Sequence, residues 1–321
     1  MVLLGRQSRL PGDWVKTTAV ISAVFAGVLL SFAGAVDNAR AANATLCDPA
    51  LLHDIPARSA AAIGGRGFAA RVETVSAGER EVAIADELLA GNLPPSLRQL
   101  APIQLTHALP SGRNVRITVC VLPDYLAVGS DRDLLYVPMR LSTALLVGGN
   151  FGFTLPTAKI VDAIYAESAA HLVPQPLPAS DQMRSTDYYA HHNQLIGDQR
   201  RARGLDLGVL ISGHKKDLVL TNRLWMYTDR VAIYGWHRGD GSAIQPLSTV
   251  HGARYADYSH GVRLVSITVY VDGAPRPLFD VLSDPELAPA LSDEGPIRRP
   301  NALVATLASM QLDGTLPVAA Q

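Results

Sequence analysis

The chain has 321 residues, of which 48% are hydrophobic, 18% charged and 6% aromatic, with a formal net charge of −1. That composition excludes a collagen-like, low-complexity or disordered chain, and two cysteines exclude a small disulfide scaffold. Near-neutral charge gives no whole-protein drive toward nucleic acid or an anionic membrane.

Arg6, Arg9 and Lys16 outweigh Asp13 ahead of an apolar run from Ala19 to Val36. The small-x-small sites Ala39-Arg40-Ala41 and Ala42-Asn43-Ala44 follow it. This is the three-part layout of a secretory signal peptide, expected over residues 1–44 and implying a secreted or periplasmic protein. The run is borderline in length for crossing a bilayer, so a retained anchor is the competing expectation. No second run of that kind follows, and no membrane insertion is expected after cleavage. Leu46 directly before Cys47 does not make a lipobox. In an oxidising compartment Cys47 and Cys120 are placed to pair; alternatively Cys120, within Val-Cys-Val, is a small buried apolar residue.

The rest reads as an N-terminal lobe over 45–178 and a strand-rich lobe over 179–321. Gly64-Gly65-Arg66-Gly67 signals a loop, and Arg80 to Leu89 a short helix ended by Gly91 and Pro94-Pro95. Val115–Leu122 and Leu134–Val137 read as strands. Pro156 and Thr157 open a helix in which Ile160, Val161, Ile164, Tyr165 and Leu172 recur at helical spacing. Pro174, Pro176 and Pro178 stop it and mark the lobe boundary. Tyr188–Arg203 reads as a polar helix with His191-His192 on a solvated face. Strand-like segments follow at 207–212, 218–221, 230–234 and 262–271, the last ending in the turn signal Asp272-Gly273. Residues 274–299 read as an irregular wrap, and Asn301 caps a terminal helix to Leu312. Helices mixed with late-clustering strands predict an α+β fold, with a mixed or antiparallel sheet in the C-terminal half and flanking helices.

Seven of the nine histidines lie between residues 171 and 260. Three strings carry the signal: Ser212-Gly213-His214-Lys215-Lys216-Asp217, Tyr234-Gly235-Trp236-His237, and His251 through Arg263. Histidines, acids and aromatics at strand ends beside glycine turns suit a polar pocket. The expected catalytic residues are His214, His251, Asp257, Ser259, His260 and Arg263. Tyr234, Trp236, His237, Tyr255, Tyr258 and Lys216 are the expected substrate contacts. In an extended 257–260 segment, Ser259 and His260 point to opposite faces, so a Ser259 nucleophile needs its base from another strand. A zinc site would draw on His214, Asp217, His251 and His260, although no standard ligand spacing is present. A metal-free site would use one His as acid or base and another His or Arg263 to stabilise the developing anion. The plain structural readings are a packed His237 and a charged hairpin tip at Lys215-Lys216-Asp217.

Ser259-His260-Gly261-Val262-Arg263-Leu264 resembles the Ser-His-Gly-Cys-x-Arg string of L,D-transpeptidases, exported enzymes that cross-link peptidoglycan. The resemblance covers those six residues. Val262 stands where that family has its nucleophilic cysteine, and Arg263 comes one place early, so the thiol chemistry does not carry over. The expected function is an exported hydrolase acting on an extracellular or envelope polymer, peptidoglycan or polysaccharide. The alternative is a secreted envelope- or glycan-binding protein without catalysis.

Overall fold

A long antiparallel hairpin starts the architecture. In the computed structural model, which describes residues 47–309, strands β1 (Ala101–Ala108) and β2 (Asn114–Val121) pair from Ala101↔Val121 to Ala108↔Asn114. The helices before it are α1 (Gly65–Val72) and α2 (Ala77–Leu89). After it come the hairpin β3 (Ala127–Ser130) and β4 (Asp133–Tyr136), then α3 (Leu141–Asn150), β5 (Phe153–Thr154), α4 (Ala158–Glu167) and β6 (Ala170–His171). Helix α5 (Thr186–Ala202) leads to β7 (Ile211–Ser212), β8 (Lys216–Leu218), β9 (Ile233–His237), β10 (Ala243–Ser248), β11 (His260–Gly261), β12 (Val265–Val271) and β13 (Ala274–Pro277). Helices α6 (Leu278–Ser283), α7 (Ala288–Leu291) and α8 (Pro300–Ser309) finish the described chain.

The fold is α+β, with flanking helices. One five-stranded antiparallel sheet has the order β1-β2-β12-β13, with β5 also on β12. A four-stranded mixed sheet has the order β10-β9-β8-β11, in which only β11 and β8 run parallel. The five-stranded sheet takes strands from both sides of the Pro174–Pro178 connector. The signal segment expected over residues 1–44 lies outside the described residues. Among the described residues no helix is long and apolar enough to cross a membrane.

Local chemistry accounts for most elements. Thr157 caps α4 by accepting from the Ile160 amide at 3.2 Å, and Ile160, Val161, Ile164 and Tyr165 are its buried face. Leu172 lies beyond that helix, which ends at Glu167. Helix α2 carries a full capping box between Ser76 and Glu79. Asp272 (φ 50°) and Gly273 (φ 86°) make the turn from β12 to β13. Residues 274–299, expected as an irregular wrap, hold β13, α6 and α7. Pro277 sits directly before α6 and Pro289 in the first turn of α7, where no amide donor is needed. The terminal helix starts at Pro300, and its expected end at Leu312 falls outside the described residues.

The Gly64–Gly67 stretch, expected as a loop, is the start of α1. A Cβ on Gly65 would lie 2.4 Å from the Leu134 carbonyl carbon, so glycine here lets a helix approach the β3–β4 hairpin. Cys47 and Cys120 form a disulfide, tying the first described residue to the C-terminal end of β2. Both cysteines are buried, so the bond also fills core volume.

Candidate functional site

Asp–His pairs organise the C-terminal half. Three aspartates, each from a different part of the chain, sit against His214, His237 and His260. The strand pairing explains how. Lys216 lies in register with Gly235 on β9 and His260 on β11, which draws all three sequence strings onto adjacent strands.

The first group surrounds Asp257. Residues 257–260 form a turn, with the His260 amide donating to the Asp257 carbonyl at 3.0 Å. The stretch is therefore not extended, and the opposite-face argument for Ser259 and His260 does not apply. Ser259 Oγ donates to Asp257 Oδ1 at 2.6 Å, and His260 Nε2 lies 3.8 Å from Asp257 Oδ2. One carboxylate thus holds both neighbours. The Ser259 hydroxyl is spent on that carboxylate, and no hydrogen bond joins Ser259 to a histidine. Both ring nitrogens of His260 are buried without a hydrogen-bond partner in the protein.

His251 is half-buried at the mouth of this group. It stacks on Tyr255 with centroids 4.1 Å apart and an 8° interplanar angle, and its ring centre is 6.0 Å from His260. The Arg184 guanidinium also lies over the Tyr255 ring, 6.0 Å from its centre. Burial holds the His251 imidazole below its ordinary range, with Asp257 pulling the other way and Lys216 adding to the depression. Burial likewise lowers His260, against the pull of Asp257. Burial opposes the Asp257 charge, but His260, Ser259 and Lys216 outweigh it and keep the group ionised. At neutral pH the group therefore offers neutral imidazoles beside a carboxylate. Lys216 completes it, its ammonium 5.0 Å from the Trp236 ring centre. Trp236 holds a left-handed backbone (φ 57°), a strained state for a bulky residue, and its buried Nε1 has no protein partner.

The second group is deeper. Lys215 and Asp217, expected at a charged hairpin tip, are buried, because the stretch enters β8, an inner strand of the four-stranded sheet, and is covered by α5 and the segment after β2. Lys215 Nζ donates to the Tyr258 carbonyl at 2.5 Å and faces His192 Nδ1 at 3.1 Å. His192, expected on a solvated face with His191, is fully buried; only His191 is exposed. Burial brings the Lys215 ammonium down to about 7 and the Asp217 carboxyl up to about 6. Tyr125 OH donates to Asp217 at 2.8 Å. His214 Nε2 lies 3.1 Å from Asp124, which also takes Tyr136 OH at 2.5 Å and Arg200 at 2.9 Å. Burial opposes the Asp124 charge, but His214, Arg200 and Arg263 outweigh it and keep its carboxyl below the ordinary range. Arg263 spends its guanidinium on the Leu122 and Ile211 carbonyls and covers the Tyr125 ring at 4.4 Å.

A third group forms on α4. Asp162 accepts from Tyr234 OH and pairs with His237 Nε2 at 2.9 Å, so these two expected substrate contacts serve one carboxylate. Tyr258 OH lies against the Leu177 backbone.

The structure thus brings together His251, Tyr255, Asp257, Ser259, His260, Lys216 and Trp236. His214, Asp217 and Arg263 belong to the deeper group. The four expected metal ligands are divided between the two. Among the described residues no three His, Cys, Asp or Glu side chains are gathered to hold a metal ion. Sequence reasoning missed Asp124, Tyr125, Tyr136, Asp162 and Arg200. The one local signal was Asp124-Tyr125 directly after a strand and Pro123. No protein-family model, curated protein or solved structure matches the chain.

Proposed function

We propose that the protein is an exported hydrolase of an extracellular or envelope polymer, working by general acid–base chemistry at the Asp257 group. The observation that carries this reading is a half-exposed, neutral His251 held rigid on Tyr255, with the Asp257 carboxylate and the Lys216 ammonium beside it. In this scheme His251 takes a proton from water as the water oxygen bonds to the scissile centre. The same imidazolium returns the proton to the leaving group as the old bond breaks. Lys216 stabilises the developing anion. Asp257, fixed by Ser259, and His260 act as positioning residues that set the charge around His251. The buried disulfide supports an oxidising compartment, and with it export. That location motivates a polymer substrate.

The test is turnover on purified peptidoglycan and on neutral and acidic polysaccharides. The expected result is release of soluble fragments, lost by about 100-fold or more in His251→Ala, with the melting temperature kept. Full activity in His251→Ala, His260→Ala and Asp257→Asn alike would overturn it. Tight saturable binding to a polymer without fragment release would favour the binding-only function.

A further inference from the structure

We propose that the loops 223–230 and 250–254, with Arg298 and Arg299 beside them, form a surface that docks on an anionic lipid bilayer. This surface stands apart from the acid–base role of the Asp257 group and does not depend on it. Among the described residues five large hydrophobic side chains stand exposed, and three of them, Met226, Tyr227 and Val250, lie on these loops. Met226 and Val250 are the most exposed of the five, at 69% and 73%. Apolar side chains left in water are unfavourable, and a cluster of them marks an interaction surface.

The two loops are held together. Arg230 Nη1 donates to the Val250 carbonyl at 2.6 Å, Arg223 Nη1 to the Leu247 carbonyl at 2.8 Å, and the Ala253 amide to the Asp229 carbonyl at 2.7 Å. Trp225 donates its Nε1 to the Arg298 carbonyl at 2.7 Å, and the Arg299 guanidinium lies 5.9 Å from its ring centre. Hydrogen bonds to carbonyls leave the arginine charges uncancelled. The three segments carry five arginines and one acid, Asp229, in a chain of net charge −1. Asp229 lies 3.6 Å from Arg230. Arg223, Arg254, Arg298 and Arg299 are exposed and form no ion pair among the described residues. The neighbouring acids are engaged elsewhere. Glu294 accepts from the Thr221 hydroxyl and the Asn222 amide, and Asp293 pairs with Lys159.

The occupant follows from finding both kinds of side chain on adjoining loops. A soluble polyanion would meet the arginines and leave Met226 and Val250 in water. A bilayer surface takes both: lipid phosphates pair with the guanidinium groups, and the apolar tips enter the boundary between headgroups and acyl chains. Trp225 and Tyr227 are the residue types that settle at headgroup level. Docking is peripheral, since no helix among the described residues is long and apolar enough to cross a membrane. Val250 directly precedes His251 in the chain, so the docked surface adjoins the mouth of the Asp257 group.

The experiment is co-sedimentation of the full chain with vesicles of phosphatidylglycerol and phosphatidylethanolamine, against vesicles of phosphatidylcholine. Preferential binding to the anionic vesicles is expected, weakening with salt. Arg254→Gln combined with Arg298→Gln is expected to weaken it about 25-fold, at about fivefold for each arginine. Met226→Ser combined with Val250→Ser is expected to weaken it about tenfold or more. Val173→Ser, which removes an exposed apolar residue outside these loops, is expected to leave it unchanged. All these variants keep residues 1–44 intact, so differences among them report the loops. Unchanged partition in either double variant, an equal loss in Val173→Ser, or equal binding of the parent to both vesicle types would overturn the proposal. Binding to soluble polygalacturonate that is lost in the arginine pair and kept in the Met226 and Val250 pair, without a vesicle preference, would assign the surface to an acidic polymer and overturn the membrane.

Discussion

Replacing both Cys47 and Cys120 by alanine removes a cross-link that closes a loop of 73 residues. In the chain-entropy description that loop costs the unfolded state about 4.5 kcal/mol of conformational freedom at room temperature. The described unit spans residues 47–309. At about 2 cal/mol/K of unfolding entropy per residue, a loss of that size lowers Tm by about 8 °C. Urea unfolding monitored by Trp fluorescence reads the free energy, and its slope with denaturant should steepen because the uncrosslinked chain exposes more surface. A loss below about 1 kcal/mol with an unchanged slope would refute the entropic argument, since the reduced chain would then be as constrained as the oxidised one.

Asp217→Asn should stabilise the protein at neutral pH and leave it unchanged in acid. The folded carboxyl holds its proton up to about 6 while the unfolded one releases it near 3.8, so parent stability falls as pH rises through that window. The fall is at most about 3 kcal/mol, at about 1.4 kcal/mol per pH unit, and Asn still accepts from Tyr125. Identical stability–pH slopes in parent and variant between pH 4 and 7 would contradict it. Gly261→Ala should cost about 1–3 kcal/mol in thermal unfolding, because a Cβ there would lie 2.6 Å from the Tyr125 ring and 2.8 Å from Lys215 Cβ. A variant as stable as the parent would show that β11 has room the packing denies.

What the sequence revealed tracks how local the cause is. Helix α4 announces itself because its cap and its apolar face lie within a few residues. Helix α3 does not, because Leu141, Thr143, Ala144, Leu145 and Val147 are buried all around it and no polar face interrupts the run. Helix α1 was hidden by glycines whose reason, contact with the β3–β4 hairpin, lies some 70 residues away in the chain. In the site, His251 through His260 were legible as one string, yet the turn that brings Ser259 and His260 to the same Asp257 carboxylate was not. The partners Asp124, Arg200 and Asp162 come from a segment after β2 and from two helices. No spacing rule links them to His214 or His237.

Asp257 governs the protonation of the two histidines beside it, His251 and His260. Proton NMR titration of the imidazole resonances tests it most directly, in the parent and in Asp257→Asn. The parent His251 should titrate below the ordinary value of 6.5, and both histidines should move lower still once the carboxylate is gone. A His251 that titrates at or above 6.5 and stays in place in Asp257→Asn would contradict the claim.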